Sequence, residues 1–276
     1  MSHIQLSQHS QIAKGQQGAV LIVVLLFLVL IILVGVIAVR QSTTDLKLAT
    51  SDQINTLLLQ SADNANQNIE QSINGDSRSD IYRGMLSRTG PFGHFMLDTS
   101  SIEHEYVFCF RPRRQFFNIN NVSIKVPNDG FYAGSSTTGY CDPAQSDDYV
   151  SARNASMTQV NITQTPPNEN NEAFGSYTIG QDSNEISSQA FMFDVNSTAI
   201  LPAYSGSLEE AQECFEKTSK YESVSNKQET IAGCMAKIGV PSTVVYEQAT
   251  VENQSRRTKC VDFGKGSGLL CALPAS

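Results

Sequence analysis

Histidine and cysteine are the side chains best suited to catalysis or metal binding, and their spacing sets the first limits on this chain. His3 and His9 lie near its start, and His94 and His104 stand ten residues apart further on. None belongs to HExxH, the helical spacing that brings two imidazoles and a general base to one zinc ion. No GxSxG or Cys/His nucleophile pattern occurs either. CxxC is missing, and the nearest cysteines are Cys260 and Cys271, so the usual zinc and redox spacings are lacking. "GKGSG" (264–268) places a lysine after glycine as a phosphate loop does, without the GxxxxGK[ST] spacing or a following helix. Lying between two cysteines, it reads as a hairpin turn. "QSDDY" (145–149) and "GQDSNE" (180–185) gather oxygen donors without the EF-hand order. "RPRR" (111–114) is the one dense basic cluster in a chain of net charge −8, and it reads as a solvated turn between two strands. These patterns specify no catalytic residue, no metal site and no cofactor, and they argue against nucleic acid as a partner. Asn-x-Ser/Thr triplets at Asn121, Asn154, Asn161, Asn196 and Asn253 are what this Asn- and Ser-rich composition gives by chance.

The elements that would position any site begin with an apolar run. From Ala19 to Val39 the chain carries 21 residues without a charge. As a helix they rise about 31 Å, the thickness of a bilayer's hydrocarbon core. A cleaved secretory signal has a core of roughly 7–15 apolar residues and a small-residue cleavage site. This run is longer, and Val39-Arg40-Gln41-Ser42 offers no such site, so a retained span is expected. Lys14 before it and Arg40 and Lys47 after it barely orient it. The six cysteines do: an even number without metal spacing, beside a membrane span, predicts three disulfides and an oxidising compartment for the C-terminal part. Fifteen connectivities are open. Pairing neighbours gives Cys109–Cys141, Cys214–Cys234 and Cys260–Cys271.

The helical pattern continues beyond the span. Ile54, Leu58, Ala62, Ala65, Ile69 and Ile73 recur at steps of three and four, with Leu57 widening the stripe and polar residues elsewhere. No proline interrupts Ala19 to Asn74, and Asn74-Gly75-Asp76 is a stop signal. The chain therefore divides into a polar leader (1–18), a long helix (19–74) and a globular part (75–276). Within the last, 105–112, 116–126, 190–195, 242–251 and 257–264 read as strands. Residues 206–217 and 227–239 read as helices, the first opened by a Ser207/Glu210 capping box and the second closed by Gly239-Val240-Pro241. Residues 142–189, poor in apolar side chains, read as a polar surface excursion with one strand around Tyr177–Ile179.

A polar leader, a glycine abutting the apolar run, and a helix that is first apolar and then amphipathic before a disulfide-tied sheet together resemble a type IV pilin. The wording "QQGAVLIVVLLFL…GV…A…RQSTTDLKLA" is most similar to the PilX branch of minor pilins. The resemblance implies an α+β pilin fold, with the long helix packed on an antiparallel sheet. It implies cleavage between Gly18 and Ala19 and N-methylation of Ala19. Most pilins have glutamate five residues into the mature chain, where this sequence has Val23. That glutamate pairs with the N-terminal amine of the subunit above, so its replacement implies a subunit at the filament tip. PilX-type minor pilins and GspK-like pseudopilins share this departure, so the resemblance implies a PilX-like minor pilin priming pilus assembly, with a GspK-like minor pseudopilin of type II secretion as the alternative within the superfamily. Partners implied are other minor pilins (PilV-, PilW-, FimU- and PilE-like), the major pilin, the inner-membrane assembly platform and a PilY-type tip adhesin. The implied location is a single pass of the inner membrane with the C-terminal domain periplasmic. A membrane-anchored periplasmic binding module is the alternative outside the superfamily.

Overall fold

In the computed structural model, residues 17–97, 99–127, 130–135, 137–165, 189–220 and 229–253 are described. The contacts divide the chain into two compact units, Met1–Gln53 and Ile54–Ser276. Helix α1 (Gln17–Ile73) belongs in part to each. Short helices α2 (Asp80–Leu86) and α3 (Pro91–Leu97) follow it. Then come strands β1 (Glu105–Cys109), β2 (Ser123–Val126), β3 (Gly130–Ala133), β4 (Met157–Gln164) and β5 (Gln189–Ile200). Helices α4 (Leu208–Phe215) and α5 (Ile231–Lys237) precede β6 (Ser242–Asn253).

The strands form one antiparallel sheet in the order β3-β2-β1-β4-β5-β6. Because successive side chains point to opposite faces, the central strands β1, β4 and β5 each feed two cores. Tyr106 and Phe108 of β1, Val160 and Ile162 of β4, and Phe193 and Val195 of β5 join Ala65 and Ile69 of α1 on one face. Val107 and Cys109 instead meet Met157, Cys214, Phe215, Ile231 and Met235 on the other. The long helix thus packs through its Ile54–Ile73 half on a six-stranded sheet, and α4 and α5 cover the reverse side. The fold is α+β and pilin-like.

The predicted stripe on α1 is the buried one, except that Leu57, expected to widen it, is exposed. Leu58, Ala62, Ala65 and Ile69 are buried, and Ile54 and Ile73 are half-buried against the same cores. The helix ends at Ile73, before Asn74-Gly75. Gly239 closes α5 at φ +74, with Gly239 N–H bonded to Ala236 O (3.2 Å) and Val240 N–H to Met235 O (2.9 Å). That doubly bonded terminus needs a left-handed residue, which glycine supplies without strain.

Several expectations are corrected. Residues 142–165 are not a surface excursion: β4 lies inside them, between β1 and β5, and is buried along almost its whole length. "MTQVNITQ" looks like a loop because five of its eight residues are polar, yet the Thr158, Gln159 and Asn161 side chains are hydrogen-bonded within the fold. In 116–126, the Ser123–Val126 part pairs as a strand. Phe116 and Phe117 precede it in irregular chain and insert into the core, Phe117 edge-on to Phe108 at 5.2 Å. The first predicted strand stops at Cys109. Ser207 starts α4, but its hydroxyl makes no capping bond, whereas Thr230 Oγ1 caps α5 by accepting from Gly233 N–H at 3.1 Å. Helices α2 and α3, each seven residues, were not expected. The strands predicted around Tyr177–Ile179 and at 257–264 lie outside the described residues.

Candidate functional site

The apolar half of α1 consists of residue types that gain nothing from water. Val20 to Val39 are continuously helical and exposed, with Val23 52% exposed. Every backbone group inside such a helix is bonded along its own axis, which is what a segment in hydrocarbon requires. Immediately after the run, the Thr43 and Thr44 hydroxyls bond back to Arg40 O at 2.9 and 3.0 Å. Among the described residues this is one helix long and apolar enough to cross a membrane, near the N-terminus, compatible with a single-pass anchor. The backbone is helical from Gln17, so Gly18 and Ala19 lie in the first turn of α1.

Where α1 meets the sheet, small residues permit close approach and polar ones fix the position. Ala62 and Ala65 are fully buried. Between them and beside them, Ser61 Oγ lies 2.9 Å from Thr158 Oγ1 of β4, and Ser197 Oγ of β5 donates to Asn66 Oδ1 at 2.5 Å. Hydroxyl–hydroxyl and hydroxyl–amide pairs are directional, so they set the rotation and height of the helix, which apolar contact alone leaves loose.

On the opposite face the sheet is tied to later chain by covalent and charged links. Cys109 is bonded to Cys141 and Cys214 to Cys234, with Cα atoms 4.9 and 5.3 Å apart. The second bridge joins α4 to α5. Cys260 and Cys271 lie outside the described residues. Glu105, 4% exposed, accepts from Asn161 Nδ2 (2.9 Å), Thr218 Oγ1 (3.0 Å), and Ser219 N–H (2.8 Å) and Oγ (2.5 Å). A buried carboxylate is tolerated when its lone pairs are filled in this way. It fastens the chain after α4 to the middle of the sheet. Asn161 is consumed in this network and buried, so its triplet presents no glycan acceptor at the surface.

The basic cluster is a clasp as well as a turn. Arg111 Nε contacts Asp148 Oδ1 at 2.5 Å, and Asp142 N–H donates to Asp148 Oδ2 at 2.9 Å. Arg114 pairs with Asp147 at 2.9 Å, and Arg113 donates to Ser146 O at 3.1 Å. RPRR and QSDDY therefore satisfy each other, beside the Cys109–Cys141 bridge. His94 and His104, far apart in pattern terms, meet: His94 Nε2 lies 2.9 Å from His104 Nδ1, and both rings are buried. Among the described residues no group of three His, Cys, Asp or Glu side chains is placed to hold a metal ion. Tyr106 is pushed well above its ordinary pKa by burial, and its hydroxyl donates to Thr89 O at 3.0 Å. Tyr246 is pushed up to about 12, first by its hydrogen bond to Asp194 and then by burial. Both hydroxyls remain neutral structural donors.

The first unit thus offers a membrane-compatible helix, and the second a helix half seated on a sheet tied by two disulfides. Compared with known proteins, residues 17–65 match the family described as PilX N-terminal. No curated protein and no solved structure matches the chain.

Proposed function

We propose that the chain, whose residues 17–65 are similar to the PilX N-terminal family, is a type IV pilus minor pilin that primes pilus assembly and stays at or near the tip. The observation that carries this is Val23. A pilin inside the shaft has a carboxylate five residues into its mature helix, paired with the amine of the subunit above. Here the helix is uncharged from Ala19 to Val39. A lone carboxylate buried there would cost several kcal/mol, so its absence suits a subunit with no neighbour above it.

On this reading residues 1–18 are a leader, cut between Gly18 and Ala19, and Ala19 is N-methylated. The helix of 19–74 is the membrane span and spine, and 75–276 form the periplasmic, later surface-exposed, domain. Cys260 and Cys271 form a third bridge beside the two described. The partners are other minor pilins of the PilV, PilW, FimU and PilE types, the major pilin, the inner-membrane platform and a PilY-type adhesin. The family is one of structural pilins, and the chain acts by assembling, with no catalysis.

Immunogold labelling of sheared filaments tests the assignment. Sparse label at filament ends is expected, together with fewer surface pili after deletion of the gene and an unchanged membrane pool of major pilin. Label spread along the shaft, or normal piliation after deletion, would overturn it. Intact mass of membrane-extracted protein separately checks processing: the chain should begin at Ala19 and be one methyl heavier.

A further inference from the structure

A cavity of about 290 Å³ opens at the β3 edge of the sheet, beneath β2 and β3 and beside the turn between α2 and α3. Its apolar lining comes from Ile119, Val122, Ile124 and Ala133, which serve here as its floor. One wall is aromatic. His94 lies along the cavity with its ring stacked on His104 (5.2 Å between centroids, 18° between planes), and Tyr132 of β3 stands 5.2 Å from His94 and 5.7 Å from His104. The 2.9 Å contact between His94 Nε2 and His104 Nδ1 fixes the orientation of both imidazoles. Arg88, Asn120 and Thr138 are its polar lining residues with long or hydroxyl-bearing side chains, together with Thr89. The rim also depends on Gly134, at φ +76, where a Cβ would fall 2.4 Å from Val122 O. Its backbone therefore comes closer to the floor than any other residue type could.

We propose that this cavity binds a small carboxylate carried on a flat apolar body. The charge argument is compositional: the chain has 27 acidic and 19 basic residues, yet among the described residues the lining contains Arg88 and no carboxylate. A guanidinium presents a planar fork matched to one carboxylate, and Asn120 adds a side-chain amide to the same lining. A doubly charged phosphate would ask for more cations than one arginine, over a floor that cannot solvate it. The imidazole and phenol rings prefer a flat partner. Ligand pockets usually run from about 300 to 1,000 Å³, so this one is sized for a single ring and not for a peptide or a glycan chain. The proposal stands apart from the tip assignment and uses none of the residues that support it.

The test uses purified full-length protein in a non-ionic detergent, with benzoate as the probe and benzamide as its neutral isostere. Calorimetry and ligand-observed NMR should show saturable benzoate binding, with benzamide at least about tenfold weaker because it lacks the charge-assisted pair. Arg88→Met keeps the stem and removes the charge. Arg88 is exposed, so the fold should be unaffected, and the two probes should then bind alike. Ala133→Leu fills the floor and should abolish binding of both. No saturable benzoate binding, equal affinity for benzamide in the unaltered protein, or benzoate affinity unmoved by Arg88→Met would each overturn the proposal.

Discussion

Replacing Glu105 measures how far one buried carboxylate holds the late segments of the chain to the sheet. In Glu105→Ala, Asn161 Nδ2 and Thr218 Oγ1 lose their acceptor in places that water does not reach, since Asn161 is 0% and Thr218 7% exposed. Each unsatisfied buried donor costs about 1–3 kcal/mol. The Ser219 N–H and hydroxyl are part-buried and recover some hydration, so they add less. The sum is about 3–5 kcal/mol, which lowers the melting temperature by roughly 10 °C in a domain of this size. Glu105→Gln behaves differently. The amide oxygen can occupy the Oε1 position and keep three of the four bonds, while its NH₂ faces the Thr218 hydroxyl, which can turn from donor to acceptor. What is lost is charge assistance, about 1 kcal/mol, or roughly 3 °C.

The assay is thermal unfolding of full-length protein in detergent, followed by the near-ultraviolet signal of its nine tyrosines. It is paired with the rate at which dithiothreitol opens Cys214–Cys234. That bridge lies four residues before Thr218, so loosening the segment should quicken its reduction in Glu105→Ala and scarcely in Glu105→Gln. Equal losses for Ala and Gln would mean that the charge, and not the satisfaction of the donors, carries the effect. A loss under about 1 kcal/mol for Ala would show that Asn161 and Thr218 find other acceptors, and the reasoning would fail.

Further outcomes follow from other parts of the fold. Val23→Glu places a carboxylate in an uncharged helix at a cost of up to about 3 kcal/mol; pilus number should fall or stay level, and a large rise in shaft labelling would contradict the tip assignment. Non-reducing peptide mapping should recover Cys109–Cys141, Cys214–Cys234 and Cys260–Cys271, each closing a loop worth roughly 3 kcal/mol, and a crossed pair such as Cys141–Cys214 would count against it. Glu247 has its pKa raised by burial and then by Glu70 and Asp63, so its folded form holds a proton more tightly than the unfolded chain. Ionisation at neutral pH therefore opposes folding. Glu247→Gln should raise the melting temperature at pH 7, and the gain should vanish as pH falls below the unfolded value of about 4.3. A gain that persists at pH 3.5 would have another origin.

The helix was legible because its signal is local. Steps of three and four from Ile54 to Ile73 need no knowledge of partners, and the Gly239-Val240-Pro241 ending is a property of three adjacent residues. β4 was illegible for the opposite reason. It is covered on both faces, so its apolar residues do not alternate with solvent-facing ones, and its polar residues are matched by groups remote in sequence. Thr158 meets Ser61, Gln159 donates to Phe215 O at 2.9 Å, and Asn161 donates to Glu105. The same holds for RPRR, whose solvated reading fails at Arg111 because Asp148 is 37 residues away. Composition can mark a residue as polar, but not as satisfied.

That distinction bears on how the spine is seated. A helix packed only by Leu58 and Ile69 could slide or roll at little cost, because apolar contact is non-directional. Ala62 and Ala65 bring the backbone close enough for Ser61 and Asn66 to reach Thr158 and Ser197, on adjacent strands, at 2.9 and 2.5 Å. Moving the helix by one residue would break both bonds and leave buried hydroxyls and an amide without partners, each at about 1–3 kcal/mol. The polar pairs thus add little net stability but penalise every other seating. A helix fixed in this way on a sheet tied by two disulfides is the property that the proposed role as a pilus subunit would use.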